Sequence, residues 1–316
     1  MRKGGVMDER QIVEFYSKIE SKAVEWLWFP YIPYGKVTII QGDPGEGKTS
    51  LALYLTSILS NGGEIPLTKI ITPTQIVIYH NAEDGVADTI KPRLERYGAN
   101  CENVCYLRSG VERAIESLEK AIAETGARMA ILDPIQAFLG DSDLQRANNI
   151  RPVMTRLSRI AEEKQCAIIL VGHLTKRENG KDLYRGLGSI DFAAAARSIL
   201  MVSKVEDGEE NERMLSQIKS NLAKRGATLI FALDENGISD WRVANELELL
   251  DEHKTSKEKF AEKVIDGFIS QNEMRADEIT KILKDIGFSV STIKRAKAKL
   301  GVASKKVGTE WYWYYE

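Results

Sequence analysis

The chain has 316 residues, 43% of them apolar and 28% charged, a composition that supports a hydrophobic core and excludes a disordered, collagen-like or disulfide-scaffolded protein. The net charge of −2 is unevenly spread: residues 254–316 carry 13 Lys/Arg against 9 Asp/Glu and the remainder 31 against 37, so a basic tail, suited to an anionic partner, follows an acidic body. Three cysteines are too few for a disulfide framework or a closed zinc site, no apolar run approaches the ~20 residues of a membrane helix, and no signal-peptide core follows the basic start, so the expectation is a cytoplasmic protein with reduced thiols and no membrane partner.

In chain order, a polar and then aromatic stretch over residues 8–29 is expected to bring Trp26, Trp28 and Phe29 against the body. From residue 37 to about 203, apolar runs alternate with amphipathic stretches. The runs are 37–40, 76–79, 104–107, 129–132 and 167–171; the stretches include 50–59, 86–97, 112–124 and 150–164. Short β-prone runs separated by helical stretches predict βαβ units, and hence an α/β fold with a mostly parallel sheet flanked by helices. Residues 214–219, 228–233 and 237–243 read as short strands with Gly and Asp-Glu-Asn turn signals, an antiparallel extension of that sheet. Residues 251–256 are polar and charged and predict a linker between a body over 20–250 and a second domain over 257–316. Amphipathic stretches at 257–269, 276–286 and 291–300, then a Lys-, Trp- and Tyr-rich close at 305–315, outline a winged helix-turn-helix there.

The chemistry is concentrated at the ends of the apolar runs. Gly42-Asp43-Pro44-Gly45-Glu46-Gly47-Lys48-Thr49, followed by Ser50, matches the phosphate loop G-x-x-x-x-G-K-[ST], with a strand before it and a helical stretch after it. Glycines let backbone N–H groups turn inward around phosphates, and the helix N-terminus adds partial positive charge. Lys48 is placed to reach the β- and γ-phosphates of ATP and Thr49 to ligate Mg²⁺. Met129-Ala130-Ile131-Leu132-Asp133 is a buried-strand pattern delivering a second acid beside the metal. Hydrolysis also needs a group to orient water. The run 76–79 leads into His80-Asn81-Ala82-Glu83-Asp84, where Glu83 is the candidate general base, Asp84 is the alternative with a helix-capping role also open to it, and His80 reads as structural. The run 167–171 ends in Gly172-His173-Leu174-Thr175-Lys176, which puts His173 where it can sense the γ-phosphate.

In the tail, residues 289–300 read as a recognition helix capped by Ser289 or Ser291. Ile293, Ala296 and Leu300 share one face, which leaves Lys294, Arg295, Lys297 and Lys299 largely outward. Such a helix suits a DNA groove; docking of a protein, another subunit or a primase, is the alternative.

These pieces in this order resemble the RecA/DnaB superfamily, and within it the hexameric RepA-type replicative helicases of plasmids and mobile elements. The resemblance rests on Trp28-Phe29-Pro30-Tyr31-Ile32-Pro33, the phosphate loop, Asn81-Ala82-Glu83-Asp84, Ile131-Leu132-Asp133-Pro134, Gly172-His173-Leu174 and Arg185-Gly186-Leu187-Gly188-Ser189, and covers roughly residues 25–245. It implies that Glu83 is the catalytic carboxylate, Asp133 the Walker B acid and His173 the sensor. It makes residues 175–189 a channel loop contacting single-stranded DNA through Lys176, Arg177, Lys181 and Arg185. It also implies a hexameric ring with nucleotide between subunits and a cation supplied in trans. Arg197 sits where RepA-type proteins carry an arginine finger, Lys219 resembles the trans lysine of the DnaB group, and Arg225 is a weaker candidate, because the closely spaced Lys and Arg of DnaB are not reproduced. The expectation is therefore a Mg-ATP-driven helicase on single-stranded DNA, any primase being a separate chain. A recombinase-like or regulatory ATPase that remodels complexes without processive unwinding is the second reading. A DNA-binding regulator using ATP only as a switch is the third, disfavoured because a switch needs no water-orienting group.

Overall fold

Along the strands of the central sheet, successive side chains are buried on opposite faces, which requires layers on both sides. Ile39, Ile78, Leu132, Leu170 and Ile199 belong to one buried cluster, and Ile40, Tyr79, Ile131, Ile169 and Leu200 to another. The computed structural model describes residue 13 and residues 15–109, 113–139, 147–175, 185–186, 195–205, 209–245, 261–270, 273–286 and 288–315.

An antiparallel hairpin, β1 (Trp26–Trp28) and β2 (Ile32–Pro33), precedes β3 (Val37–Gly42), the phosphate loop and α1 (Lys48–Asn61). Then come β4 (Val77–Asn81), α2 (Lys91–Arg96), β5 (Val104–Cys105), α3 (Ala114–Thr125), β6 (Met129–Asp133), α4 (Ala147–Lys164), β7 (Ala167–Thr175) and β8 (Arg185–Gly186). Four further strands follow: β9 (Ser198–Lys204), β10 (Glu212–Ser220), β11 (Leu229–Asp234) and β12 (Gly237–Val243). The order across the large sheet is β12-β11-β10-β9-β3-β7-β6-β4-β5, with β8 pairing antiparallel to β7. The core from β9 to β5 is parallel, and β10 to β12 add antiparallel strands at one side. The expected α/β architecture is thus present, with its antiparallel extension.

Three local outcomes differ from expectation. The stretch 86–97 is not one α-helix: Val86–Ile90 forms a π turn, and the six residues of α2 begin where Pro92, in its first turn, has no N–H to donate. Strand β9 was not among the runs read from sequence. Of the aromatic trio, Trp28 is buried, Trp26 is half-buried and Phe29 is exposed, with the Phe29 ring edge-on to Trp26 at 5.2 Å.

Beyond residue 260 lie α5 (261–269), β13 (Met274–Arg275), α6 (Ala276–Ile286), α7 (Val290–Lys299), β14 (Ala303–Val307) and β15 (Glu310–Tyr314). The strands form a small antiparallel sheet in the order β13-β15-β14, one strand more than the expected hairpin. Ser289 caps α7, accepting a bond from Thr292 N at 3.1 Å. The buried residues of this region are continuous with those of the α3–α4 face of the large sheet. The expected linker at 251–256 lies outside the described residues. No described helix is long and apolar enough to cross a membrane.

Candidate nucleotide-binding site

The phosphate loop leaves the C-terminal end of β3, between β7 and β9. Its backbone needs glycine where side chains would strain or collide. Gly45 and Gly47 have φ of +81° and +93°, and a Cβ on Gly42 would meet the Val202 carbonyl oxygen at 2.2 Å. Gly47 is also the N-cap of α1 and offers that helix no side-chain acceptor, so the first-turn amides face the loop as an anion cradle. Lys48 is buried and donates to the Asp43 carbonyl at 2.7 Å. Burial pulls its ammonium below the ordinary lysine value, and the carboxylates of Asp133, Asp43 and Glu46 oppose that pull. A phosphate group would add to the opposing side.

One strand separates β3 from β6, whose last residue is Asp133. The Thr49 hydroxyl donates to Asp133 Oδ2 at 2.9 Å, joining the loop to that strand end. The Tyr79 hydroxyl, from β4, donates to the same oxygen at 2.9 Å. Burial, and then the Asp133 charge, push the Tyr79 phenol well above its ordinary value, so it stays a donor. Thr49 and Asp133 present the hard oxygen ligands that Mg²⁺ prefers, with the remaining positions left to phosphate and water. Among the described residues no group of three His, Cys, Asp or Glu forms a protein-only metal cage.

Glu83 follows β4 one strand further on. Asn81 pairs in register with Asp133, and Ala82 N donates to the Asp133 carbonyl at 3.0 Å. The Asn81 side chain then accepts from Glu83 N at 2.9 Å and Asp84 N at 2.6 Å, an Asx turn that fixes where the Glu83 carboxylate begins. Glu83 is exposed. Asp84 does not cap the following helix: its carboxylate lies 3.7 Å from Arg93, and Gly85 is the N-cap. His80 is buried against Phe138 at 5.2 Å, and burial lowers its imidazole pKa. The backbone of His173, on β7, pairs with Gly42 at the root of the loop; its side chain lies outside the described residues.

Thr49, Tyr79 and Asp133 are therefore in one hydrogen-bonded group, with Lys48 bonded to the Asp43 carbonyl beside it and the Glu83 turn and the His173 backbone on flanking strands. Arg197 and Lys219 are elsewhere. Arg197 N donates to the Val37 carbonyl and Ser220 pairs with Ser198, which puts both cations at the other end of β3, about 16 Å from the loop at roughly 3.3 Å per residue. They do not reach the nucleotide site of their own chain. Lys219 is buried, and its pKa is lowered to about 8 by burial and by Arg197, with Asp285 of α6 opposing.

Of the candidate DNA contacts, Lys176, Arg177 and Lys181 lie outside the described residues, and Arg185 is described only as the backbone partner of Thr175. On α7, Lys294 and Arg295 are exposed. Lys297 is turned inward, donating to Ser304 at 2.5 Å and lying over the Trp313 ring at 4.9 Å, and Lys299 pairs with Glu262 at 3.0 Å. The outward basic face is thus narrower than the helical spacing predicts.

Sequence reasoning missed Tyr79 and Asn81. Tyr79 looked like an ordinary strand residue, and the only signal for Asn81 was an Asn two residues before an acid pair.

The family described as an AAA domain matches residues 8–179. DNA repair protein RadA of Halalkalibacterium halodurans is 27% identical over 227 residues, 70% of this chain and 44% of that protein. RadA of Bacillus subtilis is 27% identical over 228 residues, with the same shares, and RadA of Aquifex aeolicus is 24% identical over 212 residues, 65% of this chain and 42% of that protein. The chain spans less than half the length of these curated relatives.

Proposed function

The chain belongs to the AAA-domain family of P-loop ATPases and is a distant, RecA-like relative of RadA, and from that premise we propose that it hydrolyses Mg-ATP to drive work on single-stranded DNA. The observation that carries this reading is the hydrogen-bonded set Lys48–Asp43 and Thr49–Asp133–Tyr79, with Glu83 held on an Asx turn beside it.

Each residue has a definable task. The loop amides and Lys48 bind and orient the phosphates. Thr49 and Asp133 would hold Mg²⁺, which when bound neutralises charge on the phosphate oxygens. Glu83 orients a water and takes its proton at a carboxylate oxygen, and its exposed position leaves it accessible to water. His173 senses phosphate from the strand beside the loop. Arg197 or Lys219 acts on a neighbouring subunit's nucleotide in a hexameric ring; their distance from the chain's own loop supports a role in trans. The basic residues of 175–189, and Lys294 and Arg295 on a winged-helix-like C-terminal domain, contact DNA.

Two motor readings remain distinct. The first is a helicase that translocates as a ring in replication of a mobile element, with a separate primase as partner. The second is a recombinase-like ATPase that remodels DNA without processive unwinding, favoured by the similarity to proteins named for DNA repair. A forked-duplex displacement assay, with particle mass measured in the same buffer, separates them. Displacement by a hexamer supports the helicase. DNA-stimulated ATP turnover without displacement selects the second reading.

A further inference from the structure

The first helix after residue 260 comes to the rim of the phosphate loop. Lys263 Nζ on α5 lies 3.8 Å from Asp43 Oδ1, with 13% of its side chain exposed. Asp43 is already part of the cradle, because its carbonyl accepts from Lys48. One residue therefore stands between two ammonium groups, its carbonyl toward Lys48 and its carboxylate toward Lys263.

Helix α5 is anchored in that position. Ala261, Ile265 and Ile269 are buried in the cluster that also covers the α3–α4 face of the sheet. Glu262 is paired to Lys299 of α7, and Asp266 accepts from the Tyr315 hydroxyl at 2.5 Å. The neighbouring acids are thus tied to C-terminal elements, while Lys263 is turned to the loop.

The charges explain why a second cation is needed there. Asp43, Glu46 and Asp133 act on Lys48, and beside the loop Arg213, packed near Gly47, adds another positive side chain, so a further cation at the Asp43 end would offset charge that an incoming polyphosphate meets. A lysine on a flexible stem can leave a carboxylate for a more highly charged phosphate a few ångströms away.

We propose that Lys263 is a ligand for the terminal phosphate of bound nucleotide, supplied in cis by the C-terminal elements. It exchanges the Asp43 carboxylate for a phosphate oxygen when ATP binds. This inference rests on the phosphate-loop reading above.

The test measures binding of fluorescent ATP and ADP analogues, with Mg²⁺, to the full chain and to Lys263→Ala, Lys263→Arg, Lys48→Ala and Lys263→Ala/Asp43→Asn. Loss of one charge-assisted contact predicts about 10-fold weaker ATP binding in Lys263→Ala, less than about 2-fold change for ADP, and retention within about 3-fold in Lys263→Arg. The double variant stays weak for ATP. If it regains wild-type affinity, Lys263 merely masks Asp43 and the proposal falls. It falls equally if Lys263→Ala binds ATP like the wild type while Lys48→Ala does not. If Lys48→Ala also binds normally, the phosphate-loop reading itself has failed, and this inference with it.

Discussion

Asp133 Oδ2 accepts from both Thr49 and Tyr79, and the two donors have different histories in the sequence. Thr49 is fixed by a motif whose spacing is set by phosphate geometry, so it is legible. Tyr79 is fixed only by the register of β4 against β6, which no local pattern encodes. Replacing Tyr79 with Phe keeps the ring and removes the donor. The expected outcome is a several-fold rise in the Mg²⁺ concentration needed for tight ATP binding, with Mg²⁺-free nucleotide binding unchanged, read by titration. An unchanged Mg²⁺ requirement would mean that the phenol does not position the carboxylate. Lys219 gives a second test. Its folded pKa of about 8 lies below the ordinary 10.5, so below pH 8 the ammonium is charged in both folded and unfolded chains and bears the burial cost that Asp285 offsets only in part. Between about pH 8 and 10.5 the folded chain sheds the proton first, and the wild type gains stability as pH rises. Lys219→Met should therefore melt at higher temperature than wild type near pH 7, with the gain fading toward pH 10. A gain that grows with pH would contradict the burial account.

At the scale of elements, strands were legible where an apolar run had polar or glycine punctuation on both sides. Strand β12 at Gly237–Val243 and helix α6 at Ala276–Ile286 have the bounds read from the sequence. Strand β9 is the exception: Ile199–Val202 lies between Arg197-Ser198 and Ser203-Lys204, yet so short an all-apolar run, close behind the helix-prone Ala193–Ala196, shows no period that separates strand from helix. The hairpin β1–β2 was read only as an aromatic stretch, yet it closes the second apolar layer. Tyr31, in its turn, reaches across to the segment that leads into β11, donating to the Ala227 carbonyl at 2.6 Å. A Cβ on Gly226 would lie 2.4–2.6 Å from three atoms of that side chain, two in the ring and the phenol oxygen. Gly226→Ala should cost about 1–3 kcal/mol through overpacking, seen as a lower melting temperature. A partial recovery is expected with Tyr31→Leu in the same chain; no destabilisation would show that the ring is not wedged there.

At the scale of the molecule, strand order matters most. With β7 between β3 and β6, and β4 beyond, the ends of four parallel strands deliver the loop, His173, Asp133 and the Glu83 turn along one edge. The motifs and their order were legible, but their adjacency follows from the crossover connections and only the fold supplies it. The tail was legible as helices and a basic face. Its apolar continuity with the sheet, and the inward turn of Lys297, depend on tertiary packing and were not. The account as a whole stands on one claim, that this edge binds and hydrolyses ATP with Glu83 as the water-orienting base. The most direct measurement is single-turnover ATP hydrolysis in the presence of single-stranded DNA, wild type beside Glu83→Gln, with nucleotide affinity measured on both. The account predicts hydrolysis at least about 100-fold slower in the variant, with ATP affinity within about 3-fold of wild type. Hydrolysis by Glu83→Gln at the wild-type rate would contradict it.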